Sequence, residues 1–348
     1  MSAMSPMELR KLLSRMPRVS LGSYPTPLQD LPRLTALLRG PRLLIKRDDM
    51  TGLAFGGNKP RSLEFLMADA LAQGADTIIS SASAQSNMLR TTAAAARRLG
   101  LDVHLVLRGS GDEPLQGNLL IDHLLGAETT FIQTTDPYSK LSVEVMQRIA
   151  LDLKARGRTP YIIDVRSHSG ALSILGYIWA AAELQDQIGP LGLTRPIVAC
   201  AVSSGTTLAG LLLGAALMGN PFRVLGLCVQ TPASFMLPNV LEKVSSAASL
   251  LGQDLHLTPR DVALDDRWIG PAYAVLTPEC VDAMKQIARA EGILVDPVYT
   301  SKALAGILGR IGEGSLTSDD SVVFLHTGGT PAIFAYAEQL GPLLRPQM

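Results

Sequence analysis

The sequence lacks an excess of either charge and has few aromatic residues. Its 348 residues include 31 basic and 31 acidic side chains, so the formal net charge is zero at neutral pH. Phe, Trp and Tyr make up only 5% of the chain. A neutral chain gives no electrostatic reason to bind nucleic acid or an anionic membrane, and scarce aromatics argue against base-stacking surfaces. These features favour a small molecule as the binding partner.

Cysteine and long apolar runs are also scarce. Cys200, Cys228 and Cys280 lack the paired spacing of metal ligands, which predicts buried thiols in a reducing compartment and no metal site. The N-terminal stretch does not resemble a secretory signal, and apolar windows such as LAGLLLGAALMG are too short to span a bilayer. We therefore expect a cytoplasmic protein that does not enter the membrane.

What the sequence does contain is a regular alternation of β-prone and helical segments. DTIIS at 76–80 precedes the Ala-rich NMLRTTAAAARRLG, and PIVACAV at 196–202 precedes TTLAGLLLGAALMG. This alternation predicts an α/β fold in which helices cover parallel sheets. Ligands of such folds bind where strands end and helices begin. The stretch 231–272, rich in Pro, Asp and Ser, is predicted to be a loop over the site.

One lysine stands directly behind two glycines, in the stretch GGNKPR. The chain has only eight lysines, and Lys59 follows Gly56, Gly57 and Asn58 at the expected start of a helix. The glycines permit positive φ or a close approach of the backbone. The pattern fits an ordinary helix-entry turn with a surface lysine, and it also fits a lysine nucleophile activated by its surroundings.

The stretch SASAQSNMLR places Ser86 and Asn87 at the start of an Ala-rich helix. The free N–H groups and the dipole at a helix N-terminus favour an anion, so a substrate carboxylate would fit there. A serine hydroxyl at this position could also assist proton transfer. The structural alternative is N-capping, which Ser and Asn perform in most helices.

The stretch SSGTTLAG, residues 203–210, follows the apolar strand PIVACAV. Ser, Gly and Thr at a strand-to-helix turn offer N–H and O–H donors to a phosphate. The GK[ST] sequence of a Walker loop is missing, which disfavours a nucleoside triphosphate. A glycine-containing turn with a helix cap explains the same residues.

Two C-terminal stretches, DPVYTSKALAG and FLHTGGTPAIFAY, place hydroxyl groups near expected strand ends. Tyr299, Thr300 and Thr327 can reach a site there or serve as structural hydroxyls. Together, these five stretches supply a lysine, a phosphate cradle, a carboxylate cradle and neutral hydroxyls. Pyridoxal phosphate chemistry needs this set: an amine for a Schiff base, an anchor for the phosphate and a grip on an amino acid.

The motifs GGNK, QSN, DPVYTSKALAG and HTGGTPA, in this order, give the chain a clear family resemblance. It resembles the D-cysteine desulfhydrase and 1-aminocyclopropane-1-carboxylate deaminase family of fold-type II, tryptophan synthase β-like pyridoxal-phosphate enzymes. The resemblance covers nearly the whole chain. It implies a homodimer of two-domain subunits, with parallel-rich twisted sheets. A small domain of residues 62–167 would be inserted in a large cofactor-binding domain of residues 1–61 and 168–348.

The resemblance also implies roles for individual residues. Lys59 would hold pyridoxal 5'-phosphate as a Schiff base and shuttle the Cα proton, with Ser86 and Tyr299 as further catalytic residues. The implied cofactor-binding residues are Asn58, Lys59, Asn87, Ser203, Ser204, Gly205, Thr206, Thr207, Thr300 and Thr327. The implied substrate-binding residues are Ser86, Asn87, Met88, Tyr273, Tyr299 and Thr327.

Two threonines bear on the type of reaction. Where this chain has Thr300, the deaminases carry a glutamate that pairs with the pyridine nitrogen, and they have a bulkier apolar residue at the position of Thr327. A neutral hydroxyl gives a weaker electron sink, which suffices when a β-leaving group departs as the Cα proton is removed. We therefore predict a lyase that converts D-cysteine to pyruvate, sulfide and ammonia. The alternatives are ring-opening deamination, elimination from L-cysteate, β-replacement in a biosynthetic pathway and a degenerate cofactor-binding paralogue.

The chain departs from the family pattern at several positions near the expected site. The positions that differ are Ser83, Met88, Ala272 and Ala274. In addition, Ser62 replaces a lysine that helps to hold the phosphate in many family members. We expect Arg61 or Arg90 to supply the missing positive charge.

Overall fold

The computed structural model of the protein describes residues 3–137, 139–164 and 168–345. Among these residues, the strands form two sheets, and helices pack against both. No helix in the described part of the chain is long and apolar enough to cross a membrane. The predicted boundary between residues 167 and 168 lies at the edge of a segment outside the described residues.

The larger sheet has six strands, and all neighbouring pairs except β1–β2 are parallel. Its central strands read as continuous apolar runs because both faces are covered. In spatial order the strands are β1 (Leu28–Asp30), β2 (Arg42–Lys46), β10 (Ser321–Leu325), β7 (Ile197–Val202), β8 (Arg223–Cys228) and β9 (Ala263–Asp265).

The smaller sheet has four strands, all parallel. In spatial order they are β5 (Glu128–Ile132), β4 (Asp102–Arg108), β3 (Thr77–Ser83) and β6 (Pro160–Ile163). The register places Ser83 beside Arg108, so the two central strands end side by side. All four strands fall within the segment 62–167, whose status as an inserted domain stays a prediction.

Thirteen α-helices connect and cover the strands in the described residues. They are α1 (Pro6–Leu13), α2 (Pro32–Leu38), α3 (Lys59–Ala72), α4 (Asn87–Arg98), α5 (Gly117–Leu124), α6 (Lys140–Ala155), α7 (His168–Ile188), α8 (Thr206–Leu217), α9 (Ala233–Leu250), α10 (Pro278–Glu291), α11 (Thr300–Gly312), α12 (Ala332–Ala335) and α13 (Ala337–Leu344). Single 3₁₀ turns occur at Asp48–Met50, Leu53–Phe55, Gly189–Leu191 and Pro259–Asp261.

Helices α7 and α8 pack closely because two glycines face the contact. A Cβ atom on Gly210 would lie 2.4 Å from Cβ of Tyr177, and one on Gly214 would lie 2.5 Å from Cβ of Ala181. Neither distance is compatible with a side chain at these positions, so only glycine allows the observed packing. The contact fixes α8, and with it the loop that precedes the helix.

The structure confirms the predicted α/β fold with parallel-rich sheets. The predicted strands at 76–80 and 196–202 correspond to β3 and β7. The prediction of a loop at 231–272 is wrong over much of its length, because α9 occupies Ala233–Leu250. Pro232 precedes this helix and Pro238 lies in its second turn, so both resemble helix breakers in the sequence.

Candidate active site

A cavity of about 220 Å³ lies where strands of both sheets end. Arg108 at the end of β4 contributes to its wall, as do the segments that follow β3, β7 and β10. These are the carboxyl ends of parallel strands, where α/β folds bind ligands. The sequence-predicted residues that line the cavity are Asn58, Lys59, Ser86, Asn87, Met88, Ser203, Ser204, Gly205, Thr206, Thr207, Tyr273, Tyr299 and Thr327.

The turn that carries Lys59 depends on its two glycines. Gly56 and Gly57 have φ values of 64° and 115°, a region that side chains strongly disfavour. A Cβ atom on Gly57 would lie 3.0 Å from the backbone oxygen of Thr327, and the Asn58 N–H donates to the same oxygen at 3.1 Å. The turn therefore packs directly against the segment after β10, and Lys59 begins α3 at the cavity wall.

The Lys59 side chain lies in an environment that favours its neutral form. Burial lowers the pKa of its amine to about 8. A lower pKa increases the neutral fraction near pH 7, and the neutral amine is the form that attacks a carbonyl carbon. The Lys59 amine is therefore not an exposed surface charge, and its role as a nucleophile stays a prediction.

The loop between β7 and α8 forms a second wall of the cavity. Gly205 adopts φ of 81° as the N-cap of α8, and a Cβ atom there would lie 3.1 Å from Met236 Cε and from Val240 Cγ2. The Asn58 side chain donates to the Thr207 hydroxyl at 3.0 Å, which ties this loop to the lysine turn. Because the first N–H groups of a helix have no helical acceptors, this loop offers donors to an anion in the cavity.

Ser86 both caps a helix and lines the cavity. Its hydroxyl accepts from the N–H of Met88 at 3.2 Å and from the N–H of Leu89 at 3.4 Å. The neighbouring Asn87 also lines the cavity, and its Oδ1 accepts from Asn118 Nδ2 at 2.8 Å. Since Oδ1 is engaged, the amide nitrogen of Asn87 is the atom left to donate into the cavity.

Tyr273 and Tyr299 line the cavity as a hydrogen-bonded pair. Their hydroxyls contact each other, and their ring centroids are 6.0 Å apart. Burial raises the pKa of Tyr273, although hydrogen bonds to Tyr299 and Ser83 partly oppose it. Burial and the neighbouring tyrosine raise the pKa of Tyr299 well above its usual value. Both hydroxyls are therefore protonated at neutral pH and can donate hydrogen bonds or protons.

Comparison with known proteins agrees with this geometry. A family model described as pyridoxal-phosphate dependent enzyme matches residues 19–328. The chain belongs to this family. Its cofactor is therefore pyridoxal 5'-phosphate, which confirms the prediction from the sequence.

Individual relatives indicate to which group within the pyridoxal-phosphate dependent family this enzyme belongs. A putative 1-aminocyclopropane-1-carboxylate deaminase of Pyrococcus abyssi is 40% identical over 333 residues, which cover 96% of this chain and 98% of the relative. A D-cysteine desulfhydrase of Salmonella choleraesuis is 38% identical over 330 residues, covering 93% and 97%. The crystal structure of a homologue of 1-aminocyclopropane-1-carboxylate deaminase matches with a TM-score of 0.87 and 36% identity, covering 97% and 99%. The enzyme is thus a member of the deaminase and desulfhydrase group.

The cavity of this pyridoxal-phosphate dependent enzyme fits the cofactor. Lys59 and the loop 203–207 line the same cavity from different elements, so one molecule can reach an amine and an anion-binding helix terminus together. No group of His, Cys, Asp and Glu that could hold a metal ion occurs among the described residues. The donors around the cavity are amides, hydroxyls, the Lys59 amine and the Arg108 guanidinium, which suit a phosphate and an amino acid.

Thr300 is the predicted site residue that does not line the cavity. It is fully buried as the first residue of α11. Its hydroxyl donates to Asp296 Oδ1 at 2.5 Å and accepts from the Asp296 N–H at 2.7 Å. The expectation that this hydroxyl faces the cofactor ring is therefore not met in this structure, because Asp296 engages it at the start of the helix.

We expected Arg61 or Arg90 to replace the phosphate-binding lysine of other family members, and the structure does not place either residue there. Ser62 does line the cavity, and its hydroxyl donates to the backbone oxygen of Ser173 at 2.6 Å. Neither Arg61 nor Arg90 lines the cavity. Both guanidinium groups are fully buried and are held by protein acceptors on either side of the lysine turn. The correction follows from partners that are distant in sequence and that the sequence alone does not reveal.

The sequence analysis missed several cavity residues, among them the polar side chains of Arg108, Asp164 and Gln230. Arg108 is the last residue of β4, and Gln230 follows β8. Each lies at or just after the carboxyl end of a predicted strand, so a scan of every strand end for polar residues could have found them.

The departures from the family pattern have different structural consequences. Ser83 and Met88 line the cavity directly, so they can affect which substrate fits. Ala274 has φ of 63°, which is the left-handed region that favours glycine. The residue at this position therefore bears a backbone strain that a glycine would avoid.

Proposed function

We propose that the protein is a pyridoxal-phosphate dependent lyase that eliminates the β-substituent of a cysteine-like amino acid. The leading substrate is D-cysteine, which with one water gives pyruvate, hydrogen sulfide and ammonium. The supporting observation is that the Lys59 amine, the N-terminus of α4 with Ser86 and Asn87, and the tyrosine pair line one cavity. Relatives named as deaminase and as desulfhydrase are about equally similar, so the comparisons do not choose between these activities.

Each of these residues has a distinct task in the proposed reaction. Lys59 would bind the aldehyde carbon of the cofactor and, once released by substrate, remove the Cα proton. Bound pyridoxal phosphate supplies the electron sink for the carbon that loses this proton. Ser86 and Asn87 would hold the substrate carboxylate and the cofactor ring, because they lie at the N-terminus of α4. The loop 203–207 would hold the phosphate.

The tyrosine pair suits a reaction in which a sulfur group departs. The C–S bond breaks with its electron pair on sulfur, so a proton donor beside the β-carbon stabilises the leaving group. The hydroxyls of Tyr273 and Tyr299 are protonated at neutral pH and reach the cavity. The tyrosine pair is uncharged. Among the described residues that line the cavity, Asp164 carries the only carboxylate.

A second candidate is ring-opening deamination of 1-aminocyclopropane-1-carboxylate. It is favoured by the 40% identical relative that carries this name. The same lysine, cradle and tyrosines would serve that reaction, whose product is 2-oxobutanoate rather than pyruvate. The two candidates therefore differ in substrate and product, and a product assay separates them.

The test is the release of 2-oxo acid by the cofactor-loaded protein. D-Cysteine, L-cysteine, L-cysteate and 1-aminocyclopropane-1-carboxylate are supplied in parallel. We expect pyruvate from D-cysteine and none from the cyclopropane substrate. Lys59→Ala is expected to lose turnover completely and to lose the absorbance of the lysine-bound cofactor, because no other amine replaces its nucleophile.

The matched control is Lys285→Ala, since Lys285 lies on α10 and pairs with Asp282 at the surface. It should retain both turnover and absorbance. Retention of both by Lys59→Ala would overturn the assignment of the lysine. Production of 2-oxobutanoate but no pyruvate would replace the proposed elimination with ring opening.

A further inference from the structure

A buried arginine connects the lysine turn with the small sheet's helices. Arg90, on α4, is 0% exposed. Its Nη2 donates to the backbone oxygen of Gly56 at 3.0 Å, and its Nη1 donates to Oδ1 of Asn118, on α5, at 3.1 Å. Gly56 lies three residues before Lys59 in the turn described above. A single guanidinium group therefore bridges the lysine turn and α5.

Asn118 extends this connection to Asn87, a second residue of the cavity wall. Its side chain is also 0% exposed, and its Nδ2 donates to Asn87 Oδ1 and to the Gln85 backbone oxygen, both at 2.8 Å. Its backbone N–H donates to the side-chain oxygen of Gln85 at 2.9 Å. Asn118 thus holds the loop of residues 85–87 at both of its ends, Gln85 and Asn87. Neither Arg90 nor Asn118 lines the cavity itself.

The geometry of these hydrogen bonds restricts the orientation of the Arg90 and Asn118 side chains. A guanidinium is planar, and its two Nη atoms point at acceptors in a fixed fork. The side-chain oxygen of Asn118 accepts from Arg90 while the side-chain nitrogen donates to Asn87, so each end of the amide has one specified role. The network sets the orientation of the Asn87 amide and its separation from the lysine turn together.

We propose that Arg90 and Asn118 are positioning residues that hold the Lys59 turn and the Asn87 cradle in register across the cavity. The inference rests on the proposed function only in taking Lys59 and Asn87 as the groups that hold cofactor and substrate. A positional error of about 1 Å between reacting groups can reduce a rate by about 100-fold. The network therefore contributes to the rate without touching the reacting atoms.

The first test replaces the fork while keeping the charge. Arg90→Lys retains a cation, but an ammonium on a flexible chain does not reproduce the planar bridge to both acceptors. We expect kcat to fall by about 10- to 100-fold with a smaller change in KM, because misplacement acts on the reacting groups. We also expect a shift in the pH midpoint of the absorbance of the lysine-bound cofactor. That readout requires no substrate.

The matched control is Arg97→Lys, on the same helix. Arg97 donates to the backbone oxygens of Leu125 and Gly126, so it ties α4 to the far end of α5, away from the cavity. Arg97→Lys should lower the Tm less than Arg90→Lys, because Arg97 is partly exposed, and it should leave kcat and the absorbance midpoint unchanged. Equal effects of the two variants on kcat and on the midpoint would reduce Arg90 to a structural role and overturn the proposal.

A second variant keeps the test decisive if Arg90→Lys folds poorly. Asn118→Asp is nearly isosteric, and its carboxylate still accepts from Arg90, but its side chain cannot donate to Asn87 Oδ1 or to the Gln85 backbone oxygen. We expect a lower Tm, because these two acceptors lose their donor, and a fall in kcat of about 10-fold or more. An Asn118→Asp variant with normal kcat and a normal cofactor spectrum would contradict the proposal.

The experiment separates this proposal from the proposed function. If the unaltered protein releases no 2-oxo acid from D-cysteine, but Arg90→Lys still shifts the cofactor absorbance midpoint, then the substrate assignment fails and the positioning role stands. If D-cysteine is consumed and neither Arg90→Lys nor Asn118→Asp changes kcat or the midpoint, the positioning role fails and the substrate assignment stands.

Discussion

Arg61 and Arg90 are both buried beside the Lys59 turn, but their partners differ in charge. Arg61 donates to Asp48 Oδ2 at 2.8 Å and to Glu183 Oε2 at 2.9 Å. The cluster also includes the buried Tyr177, whose hydroxyl donates to Asp48. Burial by itself would lower the pKa of Arg61, and the two carboxylates outweigh this effect and raise it. Arg61 is thus held in a fully paired ionic network.

Arg90, in contrast, meets only neutral oxygens at hydrogen-bonding distance among the described residues. The carboxylates that attract it belong to Asp122 and Asp296, and neither oxygen of Asp122 has a hydrogen-bond partner in the described part of the chain. Burial lowers the pKa of Arg90 to about 10 and raises the pKa of Asp122 to about 8. The comparison indicates that the ionic network around Arg61 stabilises the fold. The contacts of Arg90 contribute less to stability, and their effect is to hold the bonded groups in place.

The largest effect is expected from breaking the paired cluster with Arg61→Gln. This change leaves the carboxylates of Asp48 and Glu183 buried without their main counter-charge. Removing one partner of a buried ion pair costs about 3–5 kcal/mol, so the free energy of unfolding should fall by this amount. Denaturant unfolding of the cofactor-free protein measures it. Arg158→Gln, which breaks exposed pairs to Asp76 and Asp102, is the control and should change little. Similar losses in the two variants would contradict the comparison.

A smaller loss is expected from Lys46→Met at the edge of the same cluster. Lys46 Nζ donates to Glu183 Oε1 at 2.5 Å and to the Thr26 backbone oxygen at 2.6 Å. Glu183 keeps its bonds to Arg61 in this variant, so no carboxylate is left unpaired. Loss of hydrogen bonds that involve a charged group predicts a decrease of about 1.5–3 kcal/mol in the same unfolding experiment. A loss larger than that of Arg61→Gln would show that Lys46, and not Arg61, is the main counter-charge.

The sequence predicted one part of this arrangement well. Strand ends followed by small polar residues identified the lysine turn, the loop 203–207 and the Ser86–Asn87 cradle, because parallel strands bring their carboxyl ends to one edge. The fold class followed from the alternation of apolar strands and helices. Both inferences use residues that are close together in the chain. The family resemblance then predicted the cofactor.

The remaining features depend on contacts between distant segments. Arg61 and Glu183 are 122 residues apart, so nothing in GGNKPR indicates that Arg61 points away from the cavity. Thr300 turns inward because Asp296 holds its hydroxyl, a local capping geometry that the residue types alone do not specify. Helix α9 was not predicted because Pro232 and Pro238 suggested a break in the helix. The buried residues Met236, Val240 and Val244 do follow helical spacing.

The smallest effect, with the opposite sign, is expected from Asp122→Asn. The folded protein holds the pKa of Asp122 at about 8, far above its unfolded value, so folding requires this carboxyl to take up a proton between about pH 4 and pH 8. Stability from this group is therefore complete below about pH 4 and is lost as pH rises to 8. The raised pKa already includes the attraction of Arg90 for ionised Asp122, so we expect the variant to gain stability relative to the unaltered protein as pH rises towards 8 and to differ little from it at pH 4. Melting curves of both proteins across this range measure the difference. Because all other titrating groups are shared, their contributions cancel in that difference, and parallel curves would mean that Asp122 is ionised throughout and paired with Arg90 after all.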